Sequence, residues 1–252
     1  LPKDVQAFVV ENSNNEKFKD LIKAKYSNVE CILTGGNKGY SVANNIGLKK
    51  VKTQYALVLN PDAKVEENAL ENFLISAKNN PEFWLMGPGN HQSKETDYKN
   101  NTLIEVENLK GFAIFFNLKK FNNNFFDENY FLYFEEIDLC KKVIKNKGKI
   151  ILDNNIKISH LGGSSVNLKF KEQLEKNRNW HWMWSTFYFH KKYRGLILAT
   201  IIIFPKLFSS FLKVIYYQLI FNKKMRDIYF CRLSGIINSV FGKRSWYRPT
   251  FD

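Results

Sequence analysis

Three observations predict an α/β fold: a mostly parallel sheet flanked by helices, followed by a helical C-terminal extension. Short apolar runs of strand length alternate with helix-periodic segments along the first eighty or so residues, the pattern of strands covered by helices. The run Gln54–Leu59 is apolar on both faces and ends in Asn60-Pro61-Asp62, as a buried strand ends at a turn. From Leu168 onward only helical patterns occur.

In order, Gln6–Glu11 is a short apolar run that stops in Asn12-Ser13-Asn14-Asn15, a strand entering a loop. Helical spacing covers Lys17–Tyr26, and Val29–Leu33 is a second strand. Gly35-Gly36-Asn37-Lys38-Gly39 breaks the chain before a helix over Tyr40–Val51. After the Gln54–Leu59 strand, Leu70, Phe73, Leu74 and Ala77 share one face of a helix expected over Glu66–Asn79. Phe83–Met86 is a strand and Gly87–Asn101 a polar loop, while Leu109–Asn117 is a strand interrupted at Gly111. Phe134–Asn146 is helical, and Lys149–Leu152 and Ile156–His160 are short strands. The expected division is a domain over residues 1–167 and an extension over 168–252.

The 252 residues carry a net charge of +14, unevenly spread. Residues 1–170 hold 23 Lys/Arg against 20 Asp/Glu, whereas 171–252 hold 15 against 4. The extension is therefore basic, and also greasy: Leu196–Phe221 contains only Lys206 and Lys213 as charged residues, with Pro205 between aliphatic runs. Basic residues beside bulky aromatics suit a segment lying in the interface of an anionic membrane surface; a true span and a buried core helix are the alternatives. No RNP, zinc-finger or helix-turn-helix pattern accompanies the charge, so nucleic acid is not an expected partner. Cys31, Cys140 and Cys231 lack metal or disulfide spacing, which suits a reducing, cytoplasmic compartment.

Four places could carry chemistry. Asp62 follows a buried strand, where open α/β sheets bind ligands, and its carboxylate suits a divalent cation (Mg²⁺ or Mn²⁺) carrying a diphosphate; a helix cap or turn is the plain alternative. Glu135 and Glu136 open a helix, where the dipole favours carboxylates, and either could accept a proton from a substrate hydroxyl or be an ordinary first-turn acid. His160 ends a strand before Gly162-Gly163 and could meet a metal or phosphate, or simply hydrogen-bond in a loop. Glu11-Asn12-Ser13 could hold a polar ring edge, and Asn37-x-Gly39 with Asn44-Asn45 could bring backbone close to a ligand, or both could be turns and caps. Arg178-Asn-Trp180-His-Trp182-Met-Trp184 offers stacking faces for a sugar, or helix anchors.

Taken in order, these motifs closely resemble the family 2 glycosyltransferases, with the rhamnosyltransferase-like branch nearest in pattern. The carriers are Glu11-Asn12-Ser13, Asn37-Lys-Gly-x₄-Asn44-Asn45-x-Gly47, Leu59-Asn-Pro-Asp62, Lys110-Gly-Phe112, Phe126-Asp-Glu-x-Tyr-Phe-x-Tyr-Phe-Glu135-Glu136-Ile-Asp-Leu-Cys140 and His160-x-Gly-Gly-Ser, over roughly residues 5–165. The resemblance implies a GT-A, Rossmann-like fold and inverting transfer from a nucleotide-diphosphate sugar. It implies that Glu11, with Asn12, meets the nucleotide base, and that Asn37, Gly39 and Asn44 line the donor cleft. Asp62 matches the surviving carboxylate of the Asp-x-Asp metal motif, with Asn60 at its first position, and His160 a histidine that completes the metal site. Glu136 matches the catalytic base, usually Asp, and Glu135 its neighbour. Relatives also carry a strand of the type Val-Ile-Ile-Val-Thr-Tyr-Asn about thirty residues before the Glu11 strand; this sequence has no counterpart, so a sheet without that first strand is expected. With the basic extension, the implied acceptor is a lipid-linked or envelope glycan at the inner face of the cell membrane. The competing reading is a non-catalytic glycan- or membrane-binding module of the same fold.

Overall fold

The computed structural model describes residues 5–89, 103–160 and 170–248, which form two compact units. The second unit takes the C-terminal helices together with Glu128–Phe134, seven residues from mid-chain, so the chain passes between units at the Phe134–Glu135 peptide.

The first unit begins with two parallel strands, β1 (Ala7–Glu11) and β2 (Val29–Leu33), in register from Ala7 opposite Val29 to Glu11 opposite Leu33. Between them runs α1 (Glu16–Lys25), whose first free N–H groups are capped by Asn15: its side chain accepts from Phe18 N at 3.0 Å. Gly39, at φ 87°, supplies the left-handed turn that starts α2 (Tyr40–Lys50), a conformation that costs glycine nothing. At Gly47 a Cβ would sit 3.2 Å from Val10 Cγ2, so α2 lies close against β1.

The main sheet has five strands in the order β3 (Tyr55–Leu59), β7 (Ala113–Asn117), β5 (Phe83–Pro88), β8 (Lys149–Asp153) and β6 (Leu103–Glu105). Its pairing is mixed. Only β5–β8 is parallel, while β3–β7, β5–β7 and β6–β8 are antiparallel. The expectation of a mostly parallel sheet is corrected on this point, because β7 inserts antiparallel between β3 and β5. Every residue of β7 is buried, and alternation splits them between two cores. Ile114 and Phe116 face a cluster with Leu85, Leu139, Val143 and Ile150, covered by α4 (Glu135–Lys145). Ala113 and Phe115 face a cluster with Phe73, Ala77, Met86 and Ile156, covered by α3 (Ala69–Asn79). On that face Phe115 stacks on Phe73 at 4.7 Å and on Tyr55 at 5.4 Å between ring centres. A short antiparallel pair, β4 (Ala63–Val65) with β9 (Ile158–His160), sets Ala63 opposite His160.

In the second unit, α5 (Lys171–Leu219) is two helices joined at Gly195, whose φ 79° and ψ 170° are not helical, and Pro205 lies inside the second. Asn222 caps α6 (Lys223–Val240), accepting from Met225 N at 3.1 Å. The first half of α5 is anchored by Trp180, Met183, Trp184 and Phe187, all buried. Trp180 and Trp184 are core residues with their indole N–H groups bonded to Ser234 and to the Lys243 carbonyl, which removes them from any sugar-stacking role; Trp182 stays 43% exposed. The second half is different. Phe204, Phe208, Phe211, Ile215 and Leu219 are exposed, which does not fit a buried core helix, and the helix is long and apolar enough to cross a membrane.

Candidate active site

The site grows from the ends of β3, β7 and β9. Antiparallel pairing sets the C-terminal end of β3 beside the start of β7, with Leu59 opposite Ala113, and Asn60 N donates to the Phe112 carbonyl at 2.8 Å. The turn after Asn60 closes when Ala63 N donates to the Asn60 carbonyl at 3.1 Å, and β4 then carries the chain to β9. Asp62 and His160, 98 residues apart, meet here: His160 Nε2 lies 3.0 Å from Asp62 Oδ1. The Phe112 ring stacks on the imidazole at 5.0 Å and 15°, fixing its plane.

Glu136 approaches the same Gly111-Phe112 segment. A Cβ on Gly111 would lie 3.5 Å from Glu136 Cβ and 3.6 Å from the Tyr40 hydroxyl, ordinary van der Waals contact, so both side chains pack next to this residue. Tyr40 OH donates to the Gly111 carbonyl at 2.5 Å. Glu135 is buried, and its Oε2 has no hydrogen-bond partner among the described residues. Burial, and then the neighbouring Glu136 charge, push the Glu135 carboxyl up to about 8. Burial also raises Glu136, against the backbone N–H groups of Glu136 and Ile137 that hold its charged form. The helix start thus favours the charge, but desolvation wins. Burial and the two glutamates raise the Tyr40 hydroxyl as well, so Tyr40 stays a neutral donor.

A third group surrounds Asn12. Its side chain donates to Asn37 Oδ1 and to the Gly39 carbonyl, both at 3.2 Å, and accepts from Lys38 N at 2.9 Å and Thr34 Oγ1 at 3.2 Å. Asn37 Oδ1 also accepts from Gly39 N at 3.1 Å. The end of β1 is thereby tied to the glycine turn that opens α2. Glu11 accepts a short hydrogen bond from the Ser13 hydroxyl, and the Asn44 amide donates to the carbonyl of Tyr40 in its own helix at 3.0 Å. Asn45, next to it, is the buried member: it bonds in both directions with the Phe126 backbone, at 2.9 and 3.0 Å.

The structure therefore brings together Asp62 with His160, Asn12 with Asn37 and Gly39, and Glu136 with Gly111. Sequence reasoning missed Tyr40, Gly111 and Phe112 as site residues. Lys110-Gly-Phe112 was visible as a motif, but Gly111 reads as a break in a strand and Tyr40 as the first residue of a helix. Residues 161–169, with Gly162 and Gly163, lie outside the described residues.

Asp62 and His160 fit a divalent cation of the Mn²⁺ or Mg²⁺ kind: one oxygen and one imidazole nitrogen converge, and both side chains keep some exposure, 20% and 29%. No cluster of three or more His, Cys, Asp or Glu occurs among the described residues, so a phosphate-bearing ligand would have to complete the coordination.

With this geometry in place, the comparisons decide the family. The profile described as Glycosyl transferase family 2 matches residues 2–140. The chain belongs to glycosyl transferase family 2. Among curated proteins no sequence match is found. Among solved structures, the mannosyltransferase PcManGT from Pyrobaculum calidifontis, in complex with GDP-Man and Mn²⁺, is similar with a TM-score of 0.54 and 9% identity over 96% of this chain and 80% of that one. GalNAc-T7, with UDP, GalNAc and Mn²⁺, gives 0.52 and 14% over 71% of this chain; this family 2 chain spans 44% of its length. At these identities the likeness is one of fold: a GT-A-like α/β sheet flanked by helices, with a long C-terminal helix.

Proposed function

We propose that this family 2 chain is an inverting glycosyltransferase that moves a sugar from a nucleotide-diphosphate donor to an acceptor hydroxyl. The observation that carries this is the Gly111-Phe112 segment, where the imidazole of His160, paired with Asp62, stacks on the Phe112 ring and the Glu136 side chain lies next to Gly111. Asp62 and His160 would hold a divalent cation on the donor diphosphate, and neutralising the leaving group's charge is the chemistry that cation supplies when bound. The Asn12–Asn37–Gly39 network and Glu11 would hold the nucleotide, with Asn44 and Asn60 beside the cleft.

Glu136 takes the proton from the acceptor hydroxyl as its oxygen bonds to the anomeric carbon. The bond from that carbon to the diphosphate oxygen breaks, and the nucleoside diphosphate leaves on the opposite face, so the carbon inverts. A raised carboxyl is a stronger base than an ordinary one, closer to working pH. Glu135, buried and with a free oxygen, stays protonated at neutral pH and limits the charge beside Glu136.

The motif pattern supports a deoxyhexosyl donor of the rhamnosyl type, and the exposed apolar face of α5 beside basic residues supports a lipid-linked or envelope glycan acceptor at the inner membrane face, with the enzyme peripheral or monotopic there. The test is donor-dependent transfer in detergent with membrane acceptors. Glu136→Gln is expected to lower kcat by about 10²–10⁴-fold while leaving donor Kd unchanged. Retained turnover in that variant would remove Glu136 from the mechanism.

A further inference from the structure

The second unit holds a cleft of about 250 Å³ between α5 and α6, lined by Pro205, Lys206, Ser209, Lys213, Tyr229 and Arg232. Water takes about 30 Å³ per molecule, so the cleft has room for a phosphate group and part of its hydration. Three cations converge on it without a carboxylate. The acids of the described extension are committed elsewhere: Glu172 and Asp227 pair with Lys176 at 2.7 and 3.4 Å, Glu175 pairs with Lys224 at 3.6 Å, and Asp227 also meets Arg226 at 2.7 Å.

The cations are also pre-positioned. Lys213 Nζ lies 4.7 Å from the Tyr229 ring centre and donates to its hydroxyl at 3.1 Å. The Arg232 guanidinium lies 5.6 Å from the same ring and donates to Asn179 at 3.2 Å, and its buried Nε has no hydrogen-bond partner among the described residues. Tyr217 stacks on Tyr229 at 5.6 Å and 12°, steadying the platform. A guanidinium, a lysine head with further donors and a serine hydroxyl match a group with several charged oxygens.

The surroundings indicate what carries that group. Helical spacing sets Ile201, Leu212 and Tyr216, exposed by 62%, 48% and 56%, on the ridges next to Pro205 and Ser209. A ligand with its phosphate in the cleft would lie against this apolar face.

We propose that the α5–α6 cleft binds the terminal phosphate or diphosphate of a membrane lipid, so that the extension selects lipids by headgroup. This rests on the membrane association proposed above.

The full chain would be sedimented with phosphatidylcholine vesicles, alone or with phosphatidic acid or phosphatidylglycerol at matched surface potential. Phosphatidic acid ends in a phosphate monoester and phosphatidylglycerol does not. The expected result is about tenfold tighter binding to phosphatidic acid, the scale of one charge-assisted hydrogen-bonded contact. Lys206→Gln with Lys213→Gln, both exposed, reduces that preference to less than about twofold. Lys223→Gln with Lys243→Gln removes the same charge outside the cleft and leaves the preference intact. Equal loss in the second pair would overturn the cleft as the site. No preference in the wild type, with binding to neutral vesicles retained, would overturn the headgroup proposal and leave membrane association standing; no binding to any vesicle would remove both. Inorganic diphosphate binding as tightly as the phosphatidic acid vesicles would overturn the lipid source.

Discussion

Replacing Glu135 by Gln makes a quantitative prediction about stability against pH. The carboxyl is buried with one oxygen unpartnered, and its folded value of about 8 stands well above the ordinary 4.5. Between those limits the folded state keeps a proton that the unfolded state has lost. Stability from this group is therefore fully present below pH 4.5 and is lost as pH rises toward 8. The slope is about −1.4 kcal/mol per pH unit, and the total is about 5 kcal/mol, a large part of the ~5–15 kcal/mol of a whole domain. Glutamine keeps the shape and cannot ionise, so the variant gains on the wild type as pH rises. The assay is hydrogen exchange of peptides covering β7 and α4, compared between the two proteins at matched pH so that intrinsic rates cancel. Protection of Glu135→Gln over wild type is expected to be small at about pH 5 and to grow about tenfold per pH unit up to about pH 8. A difference that stays flat across this range would refute the buried, proton-holding carboxyl.

Two substitutions probe the local structure. Gly235→Ala puts a Cβ 2.3 Å from the Trp180 carbonyl oxygen, so α5 and α6 must part. Overpacking of this kind costs about 1–3 kcal/mol, and a lower thermal midpoint by tryptophan fluorescence is expected. Asn12→Ala removes four hydrogen bonds that tie β1 to the α2 turn, taking away the acceptor of Lys38 N. At about 1 kcal/mol per net bond, nucleotide-sugar affinity is expected to fall about tenfold or more, read by calorimetry.

Most helices and strands were legible because their apolar residues repeat at the right period. β2 matched its expected span from Val29 to Leu33, and α2 from Tyr40 differed only at its end. Partner choice was not legible. Nothing in the run Ala113–Asn117 says that it lies antiparallel between β3 and β5, because periodicity records which faces are buried and not which strand is adjacent. β6 was missed because Leu103-Ile-Glu105 is only three residues long at a sheet edge. β4 was missed for a related reason: Ala63-Lys-Val65 sits inside what reads as the approach to α3, which starts at Ala69 after Asn68 takes a left-handed turn at φ 67°.

At the site, Asp62, Glu136 and His160 were found as residue types in order. Their grouping around Gly111-Phe112 depends on the β4–β9 pairing and on the packing of Glu136 next to Gly111, which are visible only in three dimensions.

The decisive experiment for a metal-dependent donor site is calorimetric titration of the full chain with nucleotide-diphosphate sugars, with and without Mn²⁺, in wild type and Asp62→Ala. Mn²⁺-dependent donor binding is expected in the wild type, and Asp62→Ala abolishes it. A folded wild type that binds no donor, or an Asp62→Ala variant that binds as well as wild type, would contradict it.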